Sequence, residues 1–291
     1  MQRKLIKLST STMVISIPRP WISQQELQKG DTVHVEEIDG SLIINPQKEQ
    51  KKEITIDISK AKDNLIWYMV DGAYTAGYDK ISIITKNNEQ TKHLGKVIRY
   101  FPGMIIEEER KTRVEMRDLS STQEVDADKL FRRIFHMIGS LFEDLIQLIK
   151  EKNWEELKDL KRRDYTINSY FSLFLRYIAK KGYSSFRKAG HTHAYLKILE
   201  LFSDRLCELA YVISEEKKQN AKQIELLQDI YKAYKEVEKQ HFTKNKNILA
   251  LDTLRVATEE KIRKSTPHRY QFSDLIAMIS ELEQLEISQT M

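Results

Sequence analysis

Cysteine, glycine and proline are all scarce in this chain. Its 291 residues include one cysteine, Cys207, nine glycines and five prolines. A single thiol excludes an intrachain disulfide and fits a reducing compartment. Cys207 lies in an apolar helical run, where cysteine acts as a small buried hydrophobe. The shortage of turn and breaker residues points to a helix-rich protein. No stretch approaches the about 18 uninterrupted apolar residues of a transmembrane helix. The opening residues, MQRKLIKLSTS, carry no apolar run of leader length. A cytoplasmic protein is the expectation. No phosphate loop, nucleophile elbow or dinucleotide glycine motif is found. No nucleophile stands with a base, so an enzyme is not expected.

What is present is charge. Charged residues make up 31% and apolar residues 41%, the balance of a globular chain. The length predicts two or more domains. The net charge of +5 is too modest to announce a nucleic-acid partner by itself. Its distribution says more, because residues 1–30 hold Arg3, Lys4, Lys7, Arg19 and Lys29 against Glu26 alone. A surface that concentrates such charge favours phosphate contacts, which are salt-dependent and tolerant of sequence.

Residues 2–46 read as a small unit of their own. Leu5 and Ile6 sit in a short basic strand, and Val14 to Ile17 form a second, stopped by Pro18. Trp21 to Leu27 has room for a couple of helical turns. Gly30 supplies a turn. Val33 and Val35 alternate as a half-buried strand, Asp39-Gly40 is a hairpin turn, and Leu42 to Ile44 return. So short a segment cannot bury a sufficient core alone, so it calls for a partner.

Its residues also resemble a family. Ser11, Thr12, Val14, Ser16, Ile17, Pro18, Trp21, Leu27, Lys29, Gly30, Asp31, Val33, Val35 and Gly40 match the AbrB/MazE/SpoVT swapped-hairpin DNA-binding domain. The resemblance implies an interlocked homodimer forming one small β-barrel. It also implies DNA contact through Arg3, Lys4, Lys7, Ser11, Thr12 and Arg19. Pro20 stands where the family often carries a basic residue, which leaves Arg19 more isolated.

A charged linker, Gln47 to Glu53, leads to residues 53–119. Ile54, Ile56 and Ile58 alternate as a strand. Ser59 is placed to cap a helix over Lys60 to Ala76, closed at Gly77. Lys80 to Ile84 is a strand, and Asn87 to Tyr100 is a helix that turns Leu94, Val97, Ile98 and Phe101 inward. Met104 to Glu109 and Arg113 to Met116 make a hairpin. This small α/β domain reads as a spacer or dimerisation unit.

Residues 124–291 read as a helical bundle. Asp126 or Asp128 starts the first helix, whose stripe is Leu130, Ile134, Met137, Ile138, Leu141, Leu145 and Leu148. A second long helix is expected over Trp154 to Ile178, then a basic loop from Gly182 to Gly190, and a third helix over Tyr195 to Ile213. Ser214 to Gln219 is a polar break. Helices over Ile224 to Phe242, Ile248 to Ile262 and Phe272 to Leu285 complete about six, joined in antiparallel fashion by short connections. His191 and His193, two apart, do not share a helix face and suit a loop or helix start. His34, on a strand, reads as structural.

Two stretches of these helices resemble the PhoU bundles that regulate phosphate uptake. Arg163 to Phe171 (RDYTINSYF) is similar to their second-helix motif, and Leu199 to Asp204 (LELFSD) to their third. In that family such acidic motifs bind metal ions. Here Asp164 and Asn168, and Glu200 and Asp204, share helix faces at four-residue spacing. If the two faces meet, four oxygen-bearing side chains converge, a donor set for a divalent or ferric ion. Leu201, Arg205 and Asn168 depart from the family pattern, and residues 220–291 hold no clean copy. The phrase Arg113 to Leu119, leading to Arg132-Arg133, fits the same arrangement.

The expected whole is thus a multidomain α+β protein. It has a swapped-hairpin domain at 1–46, an α/β domain at 53–119 and a PhoU-like antiparallel helical bundle at 124–291. That order resembles archaeal phosphate-uptake-regulator-like proteins. It implies a cytoplasmic, homodimeric transcriptional regulator of phosphate homeostasis. The alternative is an adaptor acting on a phosphate transporter or signalling protein, with the hairpin as a dimer clamp. A third reading is an antitoxin-like binder of a partner protein.

Overall fold

The computed structural model describes residues 2–38, 40–46, 51–119, 126–181, 186–244, 246–264 and 268–290. Asp39 of the expected hairpin turn, Gln47 to Gln50 of the linker, Gly182 and Pro267 lie outside them. The chain is mixed α+β, with small sheets and a helical C-terminal region. It divides into two compact units, Met1–Lys51 and Lys52–Met291.

In the first unit β1 (Ile6–Lys7) pairs antiparallel with β2 (Met13–Val14). β2 is shorter than the expected Val14–Ile17 strand because β1 offers it only two paired residues. α1 (Arg19–Gln24) starts earlier than Trp21, with proline in its first turn, where a missing N–H costs nothing. Gly30 (φ 100°) turns the chain beside Asp31, whose carboxylate accepts the Gln28 N–H at 2.8 Å. β3 (Val33–Ile38) and β4 (Ser41–Pro46) pair antiparallel with Val35 opposite Ile44.

The second unit opens with a four-stranded sheet of β5 (Glu53–Asp57), β6 (Lys80–Ile84), β7 (Met104–Arg110) and β8 (Arg113–Asp118), in the order β5-β6-β8-β7. β5 and β6 are parallel, joined through α2 (Asp63–Thr75). The other pairings are antiparallel. Ser59 does not cap α2. Its N–H donates to Asp57 Oδ1 at 2.9 Å, which holds a turn and delays the helix to Asp63. α3 (Asn88–Val97) is capped by Asn87, which accepts the Gln90 N–H at 3.0 Å. The inward set Leu94, Val97, Ile98 and Phe101 is buried as expected.

Among the described residues seven helices follow: α4 (Ala127–Glu151), α5 (Trp154–Asp159), α6 (Lys161–Lys181), α7 (Phe186–Glu216), α8 (Ala221–Phe242), α9 (Ile248–Arg263) and α10 (Arg269–Thr290). The single helix expected from Trp154 is broken at Leu160. Leu160 N–H bonds to the Leu157 carbonyl and Arg163 N–H to the Leu160 carbonyl, three-residue steps that tighten the chain. That turn lets Leu157 and Leu160 both be buried. The expected basic loop is also shorter: α7 begins at Phe186, so Lys188, Gly190, His191 and His193 are helical. Lysine, alanine and arginine are good helix formers, and His191 is tied to α10 by its Nε2, 2.7 Å from the Leu285 carbonyl. α7 also runs through Ser214 to Glu216 before Lys217 ends it.

Two apolar cores result. One lies between the sheet and α2 and α3, with Ile66, Val70, Tyr74, Ile81, Ile83 and Met116. The other fills the helices, with Phe131, Phe135, Phe142, Phe171, Phe202 and Tyr234. They meet where α2 packs on α6, within one compact unit. Gly77 (φ 85°) closes α2 against α6, where an added Cβ would lie 2.9 Å from Lys180 Cγ. The contact is otherwise polar. Arg176 Nη2 lies 2.6 Å from Asp118, its Nη1 donates to the Tyr74 carbonyl at 2.7 Å, and Lys180 reaches Asp79 and Asp118 at 2.5 and 3.0 Å.

Candidate functional site

The basic hairpin unit has no fully buried side chain among those described in residues 2–46. Leu5, Leu8 and Leu42 are 66, 70 and 67% exposed, and Ile6, Met13, Ile15 and Val35 are also open. Two-stranded hairpins of this size are marginal alone. Arg3 and Lys4 precede β1, and Lys7 ends it. Ser11 and Thr12 lie in the β1–β2 connection, where the Leu8 N–H donates to the Thr12 carbonyl at 2.9 Å. Arg19 is the first residue of α1. All six are exposed. Among the described residues none of the four cations has an ion-pair partner. Their charge is therefore available to a ligand.

The second candidate lies between α6 and α7. Four-residue spacing stacks Asp164 and Asn168 on one face of α6, and Asp164 there meets Ser203 and Asp204 of α7. Asp164 is buried. Its Oδ1 accepts from Ser203 Oγ at 2.9 Å and its Oδ2 from Asn168 Nδ2 at 3.2 Å. The Asp204 carboxyl lies against that of Asp164, an arrangement that favours a proton held between the two. Burial, and then the neighbouring Asp164, push the Asp204 carboxyl up to about 7. Burial also raises Asp164. Asn168 Oδ1 is shut off from solvent with no hydrogen-bond partner.

Glu200 stands apart from this trio. Lys197 Nζ lies 2.6 Å from its carboxylate. Burial raises Glu200 despite that lysine, with Asp71 and Asp204 adding to the effect. Asp71 of α2 was not foreseen from sequence. It accepts from Ser172 Oγ of α6 at 2.6 Å and is itself raised, burial first. No local pattern marks it, since its role depends on α2 packing against α6. Cys207 is buried as expected. Burial and then Asp164 and Asp204 drive its thiol well above the ordinary range.

The donor set suits a hard cation in part. Asp164 and Asp204 lie together and Asn168 meets Asp164 through its Nδ2, whereas Glu200 is held by its lysine. Among the described residues, no three acidic, histidine or cysteine side chains are grouped to hold a metal ion. A cation at the trio would need the shared proton to leave. His191 is a tie between helices: Gln289 Nε2 lies 2.9 Å from its Nδ1. His193 and His34 are exposed.

No helix among the described residues is long and apolar enough to cross a membrane. No family model, curated protein or solved structure matches the chain.

Proposed function

We propose that the protein is a homodimeric DNA-binding transcriptional regulator. Its N-terminal unit is the output and its helical unit the input. One observation carries the reading: residues 2–46 combine unpaired cations with apolar strands that nothing in the described part of their own compact unit covers. A second copy would cover those strands and double the charge, giving a phosphate-binding face. The swapped-hairpin resemblance supports the same pairing. The helical input would respond to a proton or hard cation at Asp164, Asn168 and Asp204, whose charge would replace that of the shared proton. The link to phosphate homeostasis is supported by the resemblance of residues 163–171 and 199–204 to PhoU motifs.

Duplex-DNA binding across a salt series tests the output. Affinity should fall steeply with salt and weaken in Arg19→Ala and Lys7→Ala, with dimer mass retained. Absence of binding by the unaltered protein at low salt would defeat the proposal. For the input, metal content of the purified protein is compared with that of Asp204→Asn. Equal content in the two removes the cation from the reading.

A further inference from the structure

One end of the helical bundle gathers positive charge that the hairpin reading does not use. α4, α7 and α9 finish there, and α8 and α10 begin. Three contacts join these ends. Gln219 Nε2 donates to the Lys150 carbonyl at 3.4 Å, His268 Nε2 lies 3.3 Å from Glu216, and Lys261 lies 2.9 and 2.6 Å from Glu225 and Asp229. Around them stand Lys152, Lys217, Lys218, Lys222, Lys264 and Arg269, all exposed. Among the described residues none of these six has an ion-pair partner. Of the nearby carboxylates, Glu215 and Glu225 are engaged by Lys158 and Lys261 and Glu216 lies beside His268, while Glu151 and Glu260 stand exposed in the last turns of α4 and α9, so the cations outnumber the free carboxylates at this end.

The backbone supplies a second observation. Of the four non-glycine residues with positive φ among the described residues, three lie at this end: Lys152 (57°), Lys217 (50°) and His268 (56°). Helices commonly end in that conformation on glycine, which adopts it without conflict between Cβ and the carbonyl. At the ends of α4 and α7 a lysine sits there instead, so charge is kept against backbone preference. Lysines compensating the helix dipole could lie anywhere in the last turn and would not need the strained position.

The chemistry of the rim selects the partner. No large aliphatic side chain is exposed in the last turns of α4, α7 and α9 or the first turns of α8 and α10, and Tyr270 is the one large exposed aromatic. A membrane or an apolar protein partner needs apolar area to bury. A row of phosphodiesters needs only charge. We infer that this basic rim is a second, sequence-independent contact surface for the phosphate backbone of duplex DNA. The inference rests on the DNA-binding reading above and adds to it a surface outside the hairpin unit.

The test measures binding of a long duplex of arbitrary sequence by the full chain over a salt series. Lys152→Gly with Lys217→Gly removes two charges together with their backbone strain. The slope of log affinity against log salt should become shallower by up to about 1.8, roughly 0.9 per lost phosphate contact, with no fall in Tm. Lys218→Gln with Lys264→Gln and Arg269→Gln, at ordinary backbone positions, should act in the same direction. If both variants keep the original slope while Arg19→Ala weakens binding, the rim is not a DNA surface and the hairpin reading stands. If the unaltered chain binds no DNA, both fall. If the rim variants lose binding to phosphatidylglycerol vesicles and keep the DNA slope, the partner is an anionic lipid surface and the inference is overturned.

Discussion

Asp164 and Asp204 are two acids in one buried space, and a single proton settles their repulsion. The consequence for stability has a definite sign. Both carboxyls are raised above their ordinary values, so the folded chain holds a proton that the unfolded chain releases. The pair's contribution is fully present below about 4, the unfolded carboxylate value. It declines as pH rises toward about 7, the folded value for Asp204. Asp71 and Glu200, raised mainly by burial, act in the same direction. Thermal melts between pH 5 and 8 should therefore show Asp204→Asn gaining on the unaltered protein as pH rises, because the amide donates to Asp164 without a proton to lose. Parallel pH profiles for the two proteins would show that the pair does not share a proton.

A single element, α6, carries both the acidic face and the joint to the sheet. Its Asp164 and Asn168 face α7, while Ser172, Arg176 and Lys180 reach Asp71, Asp118 and Asp79. Arg176 and Asp118 are almost wholly buried, 3 and 1% exposed at the side chain. Breaking a buried pair costs about 3–5 kcal/mol, and removing Arg176 leaves Asp118 with Lys180 at 3.0 Å as partial compensation, which sets the loss toward the lower end of that range. Arg176→Ala should lower unfolding free energy by that order in urea titration, and adding Asp118→Asn should recover part of it. A loss below about 1 kcal/mol would mean that solvent reaches the gap. Much of this element could be read in advance. Alternating isoleucines and Asn87 marked the strands and α3, and four-residue spacing put Asp164 with Asn168 on one face. The break at Leu160 could not, because only packing against α4 and α7 requires Leu157 and Leu160 to turn inward together. Nor could Asp71, whose partner Ser172 lies about a hundred residues away in the chain.

For the whole molecule, the contrast between the two compact units governs what assembly must do. Lys52–Met291 holds two apolar cores of its own, whereas residues 2–46 leave Leu5, Leu8 and Leu42 two-thirds exposed. Burying such a side chain is worth about 1.5–3 kcal/mol, so pairing between copies has several such contributions to draw on. In the proposed dimer, folding of the first unit is tied to protein concentration and that of the second is not. Limited proteolysis on dilution should cut first within residues 1–51 and leave a resistant fragment beginning near Lys52. Leu42→Asp should produce the same cleavage pattern at high concentration, lower the dimer mass and weaken DNA binding together, since one apolar surface serves all three. If Leu42→Asp separates the dimer while the N-terminal unit stays protected and binds DNA at full affinity, the two-copy hairpin is wrong. The exposed leucines would then have to be covered by a different partner.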